Sequence, residues 1–210
     1  ETFSPFDKLV ELLGIEAAML GLMDDPGRCH AVLERGLEYA ANWGAAQVRC
    51  GIDAIKISSP YVGGGLLSRR FYGEFVVPYE RRLVERLHAA GPVRVYTHTC
   101  GAIGDRLEDM VSTGIDGLEC LDPPPLGNVE LEDAKRRIGG RVFIKGNVDS
   151  VNTLLKKRPA EIEADVRRTM AAGAPGGGFI LSTACSIAPG VPPEHVQILA
   201  AVARESGPGW

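Results

Sequence analysis

The sequence predicts an α/β chain of the (β/α)8 TIM-barrel type, here an incomplete barrel with about five parallel strands. Three observations predict it. Five short apolar runs alternate with helical segments along the 210 residues. Each run reads as too apolar to face water on either side, the pattern of a parallel sheet covered by helices. The residues with metal-binding chemistry fall just past the C-terminal ends of two of the runs, where such folds place their chemistry. A full barrel takes eight strands and typically about 250 residues. The expectation is therefore an open doubly wound sheet or a barrel without three amino-terminal strands. The start at Glu1, without methionine and directly on helical signals, favours the second. No low-complexity linker interrupts the chain, which reads as one domain over 1–210.

In order, Pro5 to Gly14 and Ile15 to Met23 read as short helices. Asp24-Asp25-Pro26 is a helix start, with acids and proline in the first turn, and apolar residues recur at helical spacing up to Gly44. Asp53 to Ser58 is a strand, followed by the loop Gly63-Gly64-Gly65. Ser68 to Ala90 is helical, with Pro78 expected to kink or break it. The strand Val93 to His98 comes next, then helix Asp105 to Thr113, strand Gly117 to Cys120 and helix Val129 to Ile138. Strand Val142 to Val148, helix Pro159 to Ala172, strand Phe179 to Ser182 and helix Pro193 to Glu205 complete the pattern.

Composition narrows the function classes. With 45% hydrophobic and 24% charged residues the chain can bury a real core. A net charge of −4 argues against nucleic acid or an anionic membrane as the main partner. No apolar stretch approaches the roughly 20 residues of a membrane span, and the first residues lack the shape of a signal peptide. The five cysteines are an odd number at irregular spacing, as expected of reduced thiols in the cytoplasm. Trp43 and Trp210 offer no stacking pair for single-stranded nucleic acid.

His98 and Cys100 carry the strongest chemical signal. One residue apart on an extended backbone, the imidazole and thiol project to the same side, so one ion can take both. Cys185, beyond the Phe179 to Thr183 run, offers a third soft donor. Imidazole with thiolate suits zinc, and three protein ligands with an open position is its catalytic arrangement. A lone His-x-Cys is a weak pattern, and Cys100 as a small buried core residue is the competing reading. Placement at strand ends brings the two readings level.

Five segments together resemble a known family: Ala54-Ile-Lys-Ile-Ser-Ser-Pro-Tyr61 with its glycine loop, Phe75-Val-Val-Pro-Tyr79, His98-Thr-Cys-Gly101, Gly146-Asn-Val-Asp149 and Cys185-Ser-Ile-Ala-Pro-Gly-Val-Pro-Pro-Glu194. In this order they resemble the carboxy-terminal part of the uroporphyrinogen decarboxylase superfamily, and within it the zinc-dependent, corrinoid-linked methyltransferases. Porphyrinogen decarboxylases carry histidine where Cys185 stands and lack the His-x-Cys element. The resemblance implies that the chain starts just after a barrel's third strand and that His98, Cys100 and Cys185 hold Zn2+. It implies methyl transfer between a small substrate of thiol, methoxy or methylamine type and a corrinoid (methylcobamide) cofactor, presented by a corrinoid carrier protein. Two alternatives stand beside it: a metal-independent decarboxylase acting on a tetrapyrrole, and a non-catalytic barrel fragment with structural zinc.

Residues near the same strand ends have lesser claims. Asp149 and Asn147 are candidate catalytic residues; Asp149 suits a fourth ligand, a partner for His98, or a helix cap. Ser58, Tyr61 and Glu119 are candidate substrate-binding residues, although Glu119 and Asp122 equally suit pairing with basic residues or holding the Pro123-Pro124-Pro125 turn. Cys120 reads as a near-site thiol. The glycine loop reads as a mobile cover, and it lacks the spacing and lysine of a phosphate loop. The exposed edges left by absent strands are a liability. A longer parent chain or a partner chain is expected to cover them, a homo-oligomer being one such arrangement.

Overall fold

In the computed structural model, which describes residues 1–206, nine helices and six strands succeed one another. Trp210 lies outside the described residues. The order is β1 (Thr2–Phe3), α1 (Pro5–Leu13), α2 (Ile15–Asp24), α3 (Pro26–Val48), β2 (Ala54–Ser58), a short turn Pro60–Val62, α4 (Arg69–Phe75) and α5 (Val77–Ala90). It continues with β3 (Arg94–Thr99), α6 (Leu107–Val111), β4 (Gly117–Cys120), α7 (Leu131–Ile138), β5 (Phe143–Val148), α8 (Pro159–Gly173), β6 (Phe179–Thr183) and α9 (Pro193–Glu205).

The punctuation follows from local chemistry. The Ser4 hydroxyl accepts a hydrogen bond from Phe6 N and starts α1, and the Asp25 carboxylate accepts from Arg28 N with Pro26 in the first turn of α3. Pro78 acts as expected: the helical run breaks at Val76 and resumes with Pro78 in the first turn of α5. The strands are all parallel and lie in sequence order from β1 to β6. Successive one-step crossovers of the same hand stack the helices on one face, so the sheet is an open arc of the barrel type with its other face free.

Two expectations need correction. The chain enters on a strand rather than directly on helices, because Thr2–Phe3 pairs with Ile57–Ser58; two residues are too few to show an alternation. The arc therefore has six strands where five were expected. The strands are also not apolar on both faces. Ile55, Ile57, Val95, Leu118 and Ile144 are fully buried on the helix side, each such side chain stabilising the fold by about 1.5–3 kcal/mol. The alternate residues Lys56, Ser58, Tyr96, His98, Glu119 and Lys145 are only half-buried, and Ile180 is 48% exposed. An open arc leaves its inner face to water, and long polar side chains occupy it.

Candidate metal centre

His98 is the fifth residue of β3 and Cys100 lies one residue past its end. Gly101 follows in the left-handed region at φ +79°, which lets the chain turn sharply there. Its N–H donates to an Asp122 carboxylate oxygen at 2.7 Å, tying this turn to the end of β4. On the other side the glycine loop packs against the same turn. Gly64 N donates to Ala102 O at 2.6 Å, and a Cβ at Gly63 would come within 2.5 Å of the Cys100 carbonyl oxygen. The loop expected to be a mobile cover is thus a backrest for Cys100. Cys185 is delivered from the far end of the arc, where Ala184 N extends the ladder past β6 by donating to Val148 O at 2.8 Å.

The three donors converge. Cys100 Sγ lies 3.3 Å from His98 Nε2 and 3.7 Å from Cys185 Sγ, and Cys185 Sγ lies 3.9 Å from His98 Nε2. Ligands at 2.0–2.3 Å from a tetrahedral zinc stand about 3.3–3.8 Å from one another, so the cluster is already close to the size of a zinc tetrahedron. A fourth donor joins it: the Cys120 sulfur lies within 4.8 Å of the other three donor atoms. Among the described residues these four side chains form one soft-donor group.

The four donors are electrostatically coupled. Hydrogen bonds from Cys120 and His98 pull the Cys100 thiol down to about 4, against the opposing effect of burial. Burial raises the Cys185 thiol, while its hydrogen bond to Cys100 and its buried position raise Cys120. Burial alone would lower His98, but contact with Cys100 and Glu119 outweighs it and lifts the imidazole to about 9. Glu119 sits opposite His98 in the β3–β4 register. Its Oε2 lies 3.7 Å from His98 Nδ1, longer than a hydrogen bond, yet among the described residues neither buried atom has a hydrogen-bond partner. A shift of a few tenths of an ångström would complete a carboxylate–histidine pair of the kind that orients metal ligands. Its other oxygen takes the Lys145 ammonium, and despite burial these two contacts hold Glu119 down at about 2.

The remaining sequence candidates are distributed differently. Asp149 is the cap of the turn after β5: its carboxylate accepts from Val151 N and Asn152 N at 2.8 and 2.7 Å and from the Asn152 amide at 2.8 Å. Of its three readings the cap is the one the hydrogen bonds bear out; Asp149 is not in the donor cluster, and Glu119 stands beside His98. Asn147 donates to Leu121 O at 3.0 Å, so it braces the segment that carries Cys120. Glu119 is engaged by His98 and Lys145, a pairing role. Ser58 shares the register of His98 on the inner face. Tyr61, in the turn Pro60–Val62, packs half-buried against the main core. Glu119's place beside His98 was hidden from single-sequence reading, because only the strand register reveals it.

A family model described as uroporphyrinogen decarboxylase (URO-D) matches residues 1–206. The chain is 34% identical over 193 residues to a uroporphyrinogen decarboxylase of Edwardsiella ictaluri (strain 93-146), covering 89% of this chain and 51% of that protein. It is 33% identical over 177 residues to one of Escherichia coli O157:H7, covering 83% and 47%. The chain thus spans about half the length of the curated relatives it matches. Among solved structures, a methyltransferase from Methanosarcina mazei superposes with a TM-score of 0.85 at 24% identity, over 97% of this chain and 57% of that one. That likeness establishes the barrel-type fold. No helix among the described residues is long and apolar enough to cross a membrane.

Proposed function

The chain belongs to the uroporphyrinogen decarboxylase family, and from that premise we propose that it is part of a zinc-dependent methyltransferase moving a methyl group between a small substrate and a corrinoid. The observation that carries this reading is the spacing of His98, Cys100 and Cys185, at 3.3, 3.7 and 3.9 Å. Two soft sulfurs and an imidazole at tetrahedral spacing suit zinc better than magnesium or calcium, which prefer oxygen.

In this reading His98, Cys100 and Cys185 hold the ion at the mouth of the arc. When bound, zinc supplies Lewis acidity to a substrate heteroatom, making a thiol ionise at neutral pH or an ether, thioether or amine a better leaving group. Glu119, fixed by Lys145, faces His98 Nδ1 at 3.7 Å, where a small shift would hold the proton on that nitrogen and leave Nε2 to the metal. Gly63 and Gly64 hold the Cys100 turn in place from behind. Ser58, beside His98 on the inner face, is positioned to contact a substrate bound there. A small methyl donor or acceptor and a corrinoid carrier protein are the partners this chemistry requires.

A second reading is favoured by the curated relatives, which are named uroporphyrinogen decarboxylase: metal-independent decarboxylation of a porphyrinogen. One assay separates the two. The intact protein, loaded with zinc, is mixed with a methylated or reduced corrinoid carrier and candidate thiols, methoxy compounds and methylamines, and the cobalt spectrum is followed. Methylation or demethylation of the corrinoid is the expected result. Loss of carboxyl groups from a porphyrinogen with an unchanged corrinoid spectrum overturns it.

A further inference from the structure

Cys120 reaches the donor cluster by a route that regular strand geometry forbids. In the β3–β4 register it lies beside Thr99, whose side chain is fully buried on the helix side, and strict alternation would turn Cys120 the same way. Instead Cys120 and Leu121 take φ +90° and +54°. Positive φ at non-glycine residues costs on the order of 1–3 kcal/mol each and persists only where the surroundings enforce it. Three contacts enforce it here. Asn147 Nδ2 donates to Leu121 O at 3.0 Å, and Asp122 O accepts from Val129 N at 3.2 Å. Gly146 leaves room for the Cys120 carbonyl, which would lie 2.7 Å from a Cβ at that position. The product of the departure is a fully buried thiol whose sulfur stands within 4.8 Å of His98, Cys100 and Cys185. A cysteine serving only as a small core residue would need none of this.

Resting on the zinc reading above, we propose that Cys120 is the fourth ligand of the centre, closing it as a three-cysteine, one-histidine tetrahedron until a substrate heteroatom takes its place. A substrate thiol enters by exchange. The sulfur–metal bond of Cys120 breaks, that of the substrate forms, and the substrate's proton passes to the freed Cys120 sulfur. Three thiolates and one imidazole surround the ion before and after, so the charge of the site does not change. The exchange also reconciles a four-donor protein site, the arrangement of structural zinc, with the open position that catalysis needs.

Cobalt(II) in place of zinc reads the number of thiolates directly. It is loaded into the intact protein and into its Cys120→Ala and Cys120→Ser variants, with β-mercaptoethanol as the entering thiol. The native protein should show the ligand-field bands of a four-coordinate site and three-thiolate charge-transfer absorption. Both variants should lose about one third of that absorption, one sulfur of three, and regain it on addition of the thiol, while the native intensity stays constant. Equal two-thiolate absorption in native protein and variants overturns the proposal, as does a rise to four thiolates in the native protein. Absence of any cobalt–thiolate absorption in all three proteins is a different failure, that of the zinc reading itself. Far-UV circular dichroism checks folding, and the serine variant, which nearly keeps the volume of cysteine, carries the comparison if alanine at this buried position does not fold.

Discussion

The sulfur atoms of Cys100 and Cys185 lie 3.7 Å apart although 85 residues separate them in the chain. Their strands, β3 and β6, are three places apart in the sheet, or roughly 14 Å at the usual strand spacing. The gap closes because both cysteines sit beyond their strand ends, on turns that lean across the concave mouth. A metal held here would fasten the middle of the arc to its β6 end.

Cys185→Ala is therefore expected to separate metal binding from folding. Its backbone neighbour Ala184 keeps the bond to Val148, so secondary structure should be unchanged without metal. The variant should lose metal retention by more than the about 10–100-fold that removal of a supporting group costs. It should also lose the metal-dependent rise in stability, about 2.7 kcal/mol for native protein at a free metal concentration 100 times Kd. Thermal unfolding with and without zinc measures this. An equal zinc-dependent shift in the variant would remove Cys185 from the ligand set. Collapse of the native protein on chelation would instead point to structural zinc.

Glu119→Gln tests the support behind His98. The amide keeps the size of the carboxylate but loses the charge that faces Nδ1 and the Lys145 ammonium. Zinc affinity should fall by about 10–100-fold, read by competition with a chromophoric chelator. Unaltered affinity would reduce Glu119 to a partner of Lys145 alone.

How much of this was legible beforehand depended on range. Pro78 and the Asp25-Pro26 start announced their helix boundaries, because capping and ring sterics act within one turn. His98, Cys100 and Cys185 were legible as soft donors past strand ends. Glu119 was not legible as the partner of His98, since that depends on which residue lies opposite across the β3–β4 ladder. Asp149 read as ligand, partner or cap from its position after a strand, and three nearby donors make its carboxylate the cap. Cys120 was legible only as a nearby thiol, because its direction is set by two positive φ angles that period-two alternation does not contain. The polar inner face escaped notice for a related reason: Lys56, Tyr96, Glu119 and Lys145 lie singly in four different strands and form one surface only after pairing.

Gly63→Ala should disturb the centre without touching a proposed ligand. The added methyl would stand 2.5 Å from the Cys100 carbonyl oxygen, a backbone atom that cannot swing aside. Overpacking of this kind costs about 1–3 kcal/mol, and relief requires the Cys100 turn or the glycine loop to shift. Weaker zinc binding together with a lowered urea midpoint is expected. A variant with native zinc affinity would show that the glycine loop does not position Cys100.

Glu80→Gln addresses a buried acid that the proposed metal chemistry does not use. Glu80 is 1% exposed and its Oε1 accepts a hydrogen bond from the Ser59 hydroxyl at 2.7 Å. Burial pushes its carboxyl up from 4.5 to about 7, and hydrogen bonds from Ser59 and Ser4 offset this only in part. Between those two pH values the folded protein keeps a proton that the unfolded chain has released. The resulting stability is fully present below pH 4.5 and is lost as pH rises through about 7, a change on the order of 3 kcal/mol for a shift of this size. Glutamine preserves the acceptor for Ser59 and cannot ionise, so this part of the pH dependence should vanish. Asp7, raised by burial and then by Glu80 from 3.8 to about 9, loses stability in the same direction between those pH values in both proteins, by less in the variant, which lacks the Glu80 charge. Urea midpoints at pH 5 and pH 8 should therefore differ less in the variant than in the native protein. Parallel losses in the two would mean that Glu80 titrates alike in the folded and unfolded chains.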